Sequence, residues 1–355
     1  MTMNHYKDIF EKLSPVLIDA DWGSIKVELS KRFLLFELLR ELTRKIEDDP
    51  YLNFISILKY YKVLGNYLHG DIRELHRDKD KPYFRDFFHD PELYKIVSED
   101  LDWAISVNSK LNLTITKSGV IVYDNYRKNK FNAFLLTVHS GSWMPKSIKA
   151  KQALSAEERK LEEDVATHKL YGNLVLKKSG IWIDNKMSRY ACDYNRPRKR
   201  SIYTDHGERW LRFVWKEKLT KEENRWLMAC YDEFYFTLAK LVETYRFNII
   251  FDGHSMSDDE GRPDISFGTV HIPRFYLPIV IAMKQKLESQ GYYSVDVNAP
   301  YGGGHILNWM GKRFPNTFTF SMEVNKRLYM DASRKRVSEK RLFEVSKSLL
   351  SIFNL

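Results

Sequence analysis

Cysteine is scarce: Cys192 and Cys230 are the only two in 355 residues. Two thiols cannot build a disulfide framework, and their scarcity fits a reducing compartment, so a cytoplasmic setting is expected. Long apolar runs are missing as well. The longest, such as FLLF at 33–36 and YLPIVIAM at 276–283, fall far short of a bilayer span. No charged start followed by an apolar stretch and a small-residue cleavage site is present, and no lipidation motif, so neither secretion nor a membrane partner is expected. The phosphate-binding pattern GxxxxGK[ST] is absent, as is GxGxxG, which removes the P-loop and dinucleotide-fold readings. Repeats and low-complexity tracts are also lacking.

What is present is an aromatic-rich, basic chain. Hydrophobic residues make up 43% and aromatics 14%, which excludes an intrinsically disordered protein. Lys and Arg number 57 against 47 Asp and Glu, a formal charge of +10. Such an excess attracts nucleic acid, anionic surfaces or acidic small molecules without choosing among them. A nucleic-acid reading requires a cationic stripe interleaved with stacking aromatics. Only the run Arg196-Pro197-Arg198-Lys199-Arg200, beside Tyr194 and Tyr203, resembles one, so no nucleic-acid partner is expected.

Patterning divides the chain near residue 130. Before it, 5–14, 24–47, 51–68 and 91–106 carry apolar residues at helical spacing, joined by a polar segment over 69–82 that holds His69 and His76. Two short β-like runs follow, at 112–116 and 119–123. This part, residues 1–130, reads as a mainly helical extension without obvious chemistry. From 131 to 355 short apolar strands alternate with helices, which predicts an α/β domain. Strands are predicted over 133–138, 189–194, 247–252, 292–297 and 317–324. Helices are predicted over 155–171, 221–245, 278–290 and 337–352, the first opening on the capping box Ser155-Ala156-Glu157-Glu158.

Several strands run into reactive side chains. One ends at His139-Ser140-Gly141, another at Asp252-Gly253-His254-Ser255, and the last carries Glu323. Open α/β sheets gather ligands at the carboxyl ends of their strands, so these groups can converge. Two histidines with nearby carboxylates suit Zn²⁺ with one open position. Glu162, Glu163 and Asp164 supply candidate carboxylates, with His168 one turn beyond Asp164. Asn195-Arg196 suits a carboxylate, because guanidinium offers a planar fork and the amide a further donor. Asn298-Ala299-Pro300-Tyr301-Gly302-Gly303-Gly304-His305 lets backbone approach a ligand closely.

Together, His139-Ser140-Gly141, Asp164 with Leu170-Tyr171, Asp193-x-Asn195-Arg196, Asp252-x-His254-Ser255-Met256, the segment from Asn298 to Gly304 and Met322-Glu323-Val324-Asn325-Lys326-Arg327 resemble the N-formylglutamate amidohydrolases. The resemblance spans about residues 130–332. Val138 stands where that family usually has proline. Ala332 stands where an acidic residue commonly follows Met330-Asp331.

The resemblance implies a mixed twisted sheet flanked by helices, similar to the zinc carboxypeptidases. It implies one Zn²⁺ on His139, His254 and Asp164, with the adjacent Glu163 as the alternative carboxylate, and Glu323 as general base. Asn195 and Arg196 would clamp a substrate α-carboxylate, and Arg189, Asn298, Tyr301 and Gly303 complete the expected substrate-binding set. A second, side-chain carboxylate would need another cation: Arg189, Arg198 or Lys199. The implied reaction is hydrolysis of N-formylglutamate to glutamate and formate, or of another N-acyl amino acid or small peptide. The partner is then a small anionic molecule; an oligomeric state is not implied.

Overall fold

The computed structural model describes residues 91–108, 111–115, 119–203, 213–333 and 336–353. The helices expected over 5–14, 24–47 and 51–68, and the connector with His69 and His76, lie outside the described residues. Two compact units meet in sequence at Asp124/Asn125. In the first, helix α1 (Pro91–Val107) buries Leu93, Val97, Leu101 and Ala104, the spacing of one helical face. Strands β1 (Asn112–Ile115) and β2 (Val120–Asn125) pair antiparallel, with Leu113 opposite Tyr123.

The second unit is built on six strands: β3 (Ala133–Thr137), β4 (Gly180–Asn185), β5 (Ile249–Met256), β6 (Ile265–Gly268), β7 (Val295–Val297) and β8 (Thr319–Asn325). Their spatial order is β4-β3-β5-β8-β6-β7. All adjacent pairs are parallel except β6 with β8, so the sheet is mixed, as the resemblance implies. Every residue of β3, β4 and β5 is buried, as happens when a parallel sheet is covered on both faces. Phe251 stacks on Phe320 across β5 and β8, with ring centroids 5.8 Å apart, while Phe134 of β3 stacks on Phe247 at 4.7 Å.

Between β3 and β4 lie four one-turn helices: α2 (Lys146–Ala150), α3 (Ala156–Lys160), α4 (Thr167–Tyr171) and α5 (Asn173–Lys177). The long α6 (Lys221–Thr244) connects β4 to β5, and its capping box of Thr220 and Glu223 fixes its start. α7 (Leu277–Glu288) precedes β7, α8 (His305–Arg313) precedes β8, and α9 (Glu339–Ser351) follows it. Among the described residues no helix is long and apolar enough to cross a membrane.

Two expectations need correcting. Residues 189–194 are turn and irregular structure, and the strand is Gly180–Asn185 instead. The run Ile181-Trp182-Ile183 can be buried on both faces, whereas Arg189 and Asp193 need a polar setting. The helix expected over 155–171 is broken. Its capping box forms, with Ser155 accepting from Glu158 N, but α3 stops at Lys160 and Ala166 takes a left-handed φ of 62° before α4. Asp164 therefore lies in a turn rather than on a helical face. Strand β6 and helix α8 were not expected, being short segments beside glycine-rich turns.

Candidate metal centre and active site

His139 stands two residues beyond β3, on a loop held from beneath. Asn185 donates to Val138 O at 2.7 Å and to Met187 O at 2.8 Å. Ser140 donates to Asp184, which also receives the buried Lys186 ammonium and the Thr137 hydroxyl at 2.8 Å. Gly141 is required here, because a Cβ would sit 2.2 Å from the Lys186 carbonyl carbon. Gly141→Ala is expected to lower stability by about 2–4 kcal/mol through backbone displacement, measurable as a shift in denaturation midpoint at constant slope.

The turn after α3 delivers Asp164 to the same place. Its N–H donates to His139 O at 3.1 Å, and the Thr167 hydroxyl donates to its carbonyl at 2.8 Å. One carboxylate oxygen then lies 2.8 Å from His254 Nδ1 and 3.7 Å from His139 Nδ1. Ser255 donates to the other at 3.3 Å. Burial alone would raise this carboxyl's pKa, but the two imidazoles outweigh it and hold the group well below the usual carboxylate range. Glu163 faces elsewhere: it accepts from Ser188 at 2.5 Å and lies 3.6 Å from Arg159.

Each imidazole is anchored by its far nitrogen. His139 Nε2 lies 2.7 Å from Asp193 Oδ1, and His254 Nε2 lies 2.7 Å from Asp252 Oδ2. Carboxylates only accept, so each Nε2 carries a proton, and His254 Nδ1, facing Asp164, carries a second. Burial opposes the charge, but Asp252 and Asp164 hold this imidazole's pKa well above its ordinary value. A cation bound here would displace that proton and leave both imidazoles neutral. One ligand atom from each of His139, Asp164 and His254 lies within 4.8 Å of the others, and all three residues are buried. Two neutral imidazoles, a carboxylate and carboxylate-held outer nitrogens are a donor set that fits a divalent cation. Asp193 and Asp252 had no assigned role in the sequence reading. Asp252 was detectable, since positions i and i−2 share a strand face; Asp193 reaches His139 only through the fold.

Glu323 stands beside this group because β5 and β8 pair in register, His254 opposite Glu323. Tyr171 pins the two strands together: its hydroxyl lies 2.8 Å from His254 O and 3.1 Å from Met322 O. A Cβ on Gly253 would strike the Tyr171 ring at 2.5 Å, so that packing needs glycine. Burial pushes the Glu323 carboxyl up to about 8, Asp164 and Asp252 push the same way, and His254 opposes them.

These groups open into a cavity of about 440 Å³, lined also by Arg189, Asn195, Arg196, Tyr301, Gly303 and Ser321. A protein-family model described as N-formylglutamate amidohydrolase matches residues 132–330, over half of the chain.

The chain belongs to the N-formylglutamate amidohydrolase family.

It is accordingly a hydrolase acting on amides. A solved structure of an N-formylglutamate amidohydrolase from Ralstonia eutropha is 18% identical, covering 66% of this chain and 95% of that one, with a TM-score of 0.55. A gene product of Agrobacterium tumefaciens is also 18% identical, covering 66% and 94%, with a TM-score of 0.50. A metallo-carboxypeptidase from Burkholderia cenocepacia is 10% identical, covering 73% and 67%, with a TM-score of 0.38. No curated protein sequence matches the chain.

In this member of the amidohydrolase family, Asp193 is the meeting point of the cavity's cationic wall. It accepts from Arg189 at 3.0 Å, from Tyr203 at 2.7 Å and from Asn195 N at 2.9 Å, with Arg196 Nε at 3.6 Å. The Arg196 guanidinium lies 4.6 Å over the Tyr203 ring, which holds its plane. Asn195 bridges inward, its amide 3.3 Å from Asp252 and its carbonyl oxygen accepting from Ile306 N at 3.0 Å. Asn298 is not among the lining residues; its side chain accepts from Thr269 N at 2.7 Å and anchors the glycine-rich segment. Arg198 and Lys199 do not line the cavity either, and Arg198 forms a two-point pair with Asp232.

Proposed function

We propose that this protein hydrolyses the amide bond of an N-formyl or other N-acyl amino acid with the help of one zinc ion held by His139, Asp164 and His254. The observation that carries the reading is the placement of Glu323 directly opposite His254, with Arg189 and Arg196 on the same cavity's wall. Zinc bound there would supply a Lewis acid that polarises the amide carbonyl and acidifies water.

The remaining work falls to the chain. Glu323 takes a proton from the attacking water and returns it to the departing nitrogen, so water adds across the C–N bond and an acid and a free amino acid leave. Arg196, with Arg189 beside it, receives the α-carboxylate in a forked, charge-assisted contact. That contact fixes the amide between Glu323 and the metal ligands and converts binding into orientation. Asp193 and Asp252 keep both imidazoles in the tautomer that frees Nδ1. N-formylglutamate, which gives formate and glutamate, is the reference compound of this class.

The test is metal analysis coupled to a panel of N-formyl and N-acyl amino acids, read by release of the acid. Protein carrying stoichiometric zinc that cleaves none of them would overturn the proposal. Arg196→Ala is expected to raise KM by about 10- to 100-fold with a smaller change in kcat, the loss of one charged hydrogen-bonding partner. An unchanged KM would place the carboxylate elsewhere.

A further inference from the structure

Strand β8 closes at Asn325, and the chain then makes a single 3₁₀ turn, Lys326–Leu328, before Tyr329. The Asn325 side chain caps that turn, accepting from Arg327 N at 3.1 Å and donating to Pro263 O at 3.2 Å. Arg327 lies 2.9 Å from Asp264 and 3.2 Å from Asp258, which braces the turn against the segment entering β6. Lys326 and Tyr329 reach elsewhere.

Both contact the turn that holds Asp164. Lys326 is only 3% exposed, and its ammonium donates to Lys160 O at 3.1 Å and to Leu161 O at 2.6 Å. These are the carbonyls of the last residue and the C-cap of α3, where intrahelical donors run out and a cationic side chain can replace them. Tyr329 is fully buried, and its hydroxyl donates to Val165 O at 2.9 Å. The backbone is therefore gripped on either side of Asp164, at 161 and at 165.

That grip answers a local need. Residues 161–165 belong to no helix or strand, so no regular ladder holds them, and Ala166 beyond them takes a left-handed φ of 62°. Ligand distances at a divalent metal are defined to about 0.2 Å. Burying an ammonium costs free energy that a methionine would not, and the two carbonyl partners offset that cost. Neither Lys326 nor Tyr329 lines the cavity. What they touch is the backbone that presents Asp164.

We propose that Lys326 and Tyr329 are positioning residues for the metal centre, setting the Asp164 carboxylate by holding its turn from both sides. This rests on the reading of His139, Asp164 and His254 as metal ligands. The holding segment is continuous with the strand that carries Glu323, so one stretch of chain, from Thr319 to Tyr329, places both the base and the carboxylate ligand.

Chelator competition on the full zinc-loaded chain tests it, with folding followed by circular dichroism. Tyr329→Phe removes one oxygen, and Lys326→Met removes the ammonium while keeping an apolar chain. Each is expected to weaken zinc affinity by about 10- to 100-fold in folded protein, as happens when a group that orients a ligand is lost. The visible absorption spectrum of the Co²⁺-loaded protein reports ligand geometry and should shift in both variants. Tyr276→Phe is the control: it loses a hydroxyl bond of the same kind, 2.9 Å to Asn316 O, outside this turn, and should keep affinity and spectrum. Wild-type affinity with an unshifted spectrum in the folded variants overturns the proposal, as does an equal loss in the control. If Lys326→Met does not fold, Tyr329→Phe decides alone. Wild-type protein that binds neither zinc nor cobalt overturns the metal reading and this inference with it, a result distinct from variants that bind metal as wild type does.

Discussion

Glu323→Gln is expected to lower kcat by about 10²- to 10⁴-fold while metal content stays at the wild-type level. The substitution keeps the side chain's shape and removes its ability to take a proton. Its backbone neighbours are unchanged, because strand pairing rather than the carboxylate sets its place opposite His254. The measurement pairs initial rates with metal analysis on the same preparation. Full activity in this variant would assign the base to another group. Loss of metal in parallel with activity would make Glu323 a ligand instead. KM should change little, since the proposed contact of Arg189 and Arg196 with the substrate carboxylate is untouched.

His254→Ala is expected to have the other large effect, loss of the bound metal. The imidazole is one of the three donors proposed for the metal and contacts both Asp164 and Asp252, at 2.8 and 2.7 Å. Removing it leaves two buried carboxylates facing each other without the group between them, so a loss of stability of about 3–5 kcal/mol is expected as well. Asp252→Asn separates the two effects. It retains the imidazole and replaces the carboxylate behind it with a neutral amide, and should weaken metal affinity by about 10- to 100-fold in a folded protein. Competition with a chelator measures affinity, and circular dichroism reports folding. Wild-type metal content in folded His254→Ala protein would remove this histidine from the centre.

The α/β class was legible because β3, β5 and β8 are apolar runs ending on polar residues, a pattern that survives without knowledge of neighbours. The residues that converge, His139, Asp164 and His254, were legible for the same reason in two cases: histidines at strand ends stand out. Asp164 was harder. Three consecutive acidic residues at 162–164 look alike in sequence, and only the turn that ends α3 at Lys160 aims Asp164 inward while Glu163 meets Ser188. The expected strand over 189–194 failed because its polar members serve the site. Arg189 and Asp193 are held in place by each other and by His139, not by a β-ladder. Asn298 shows the converse: its place in a ligand-like motif masks a bracing contact with Thr269. Spacing records that a residue is near a site; it does not record which way the side chain turns.

The pairing of β5 with β8 has one more consequence. A slip of one residue would send Glu323 to the opposite face of the sheet, so the separation between Glu323 and His254 is as invariant as the backbone ladder itself. Arg196, Tyr301 and Gly303, which line the same cavity, come from segments outside the strands. On the proposed mechanism, bond-breaking and molecular choice are thus inherited separately. Drift in the connecting segments can retarget the enzyme to a new amide while the hydrolytic apparatus stays in working order.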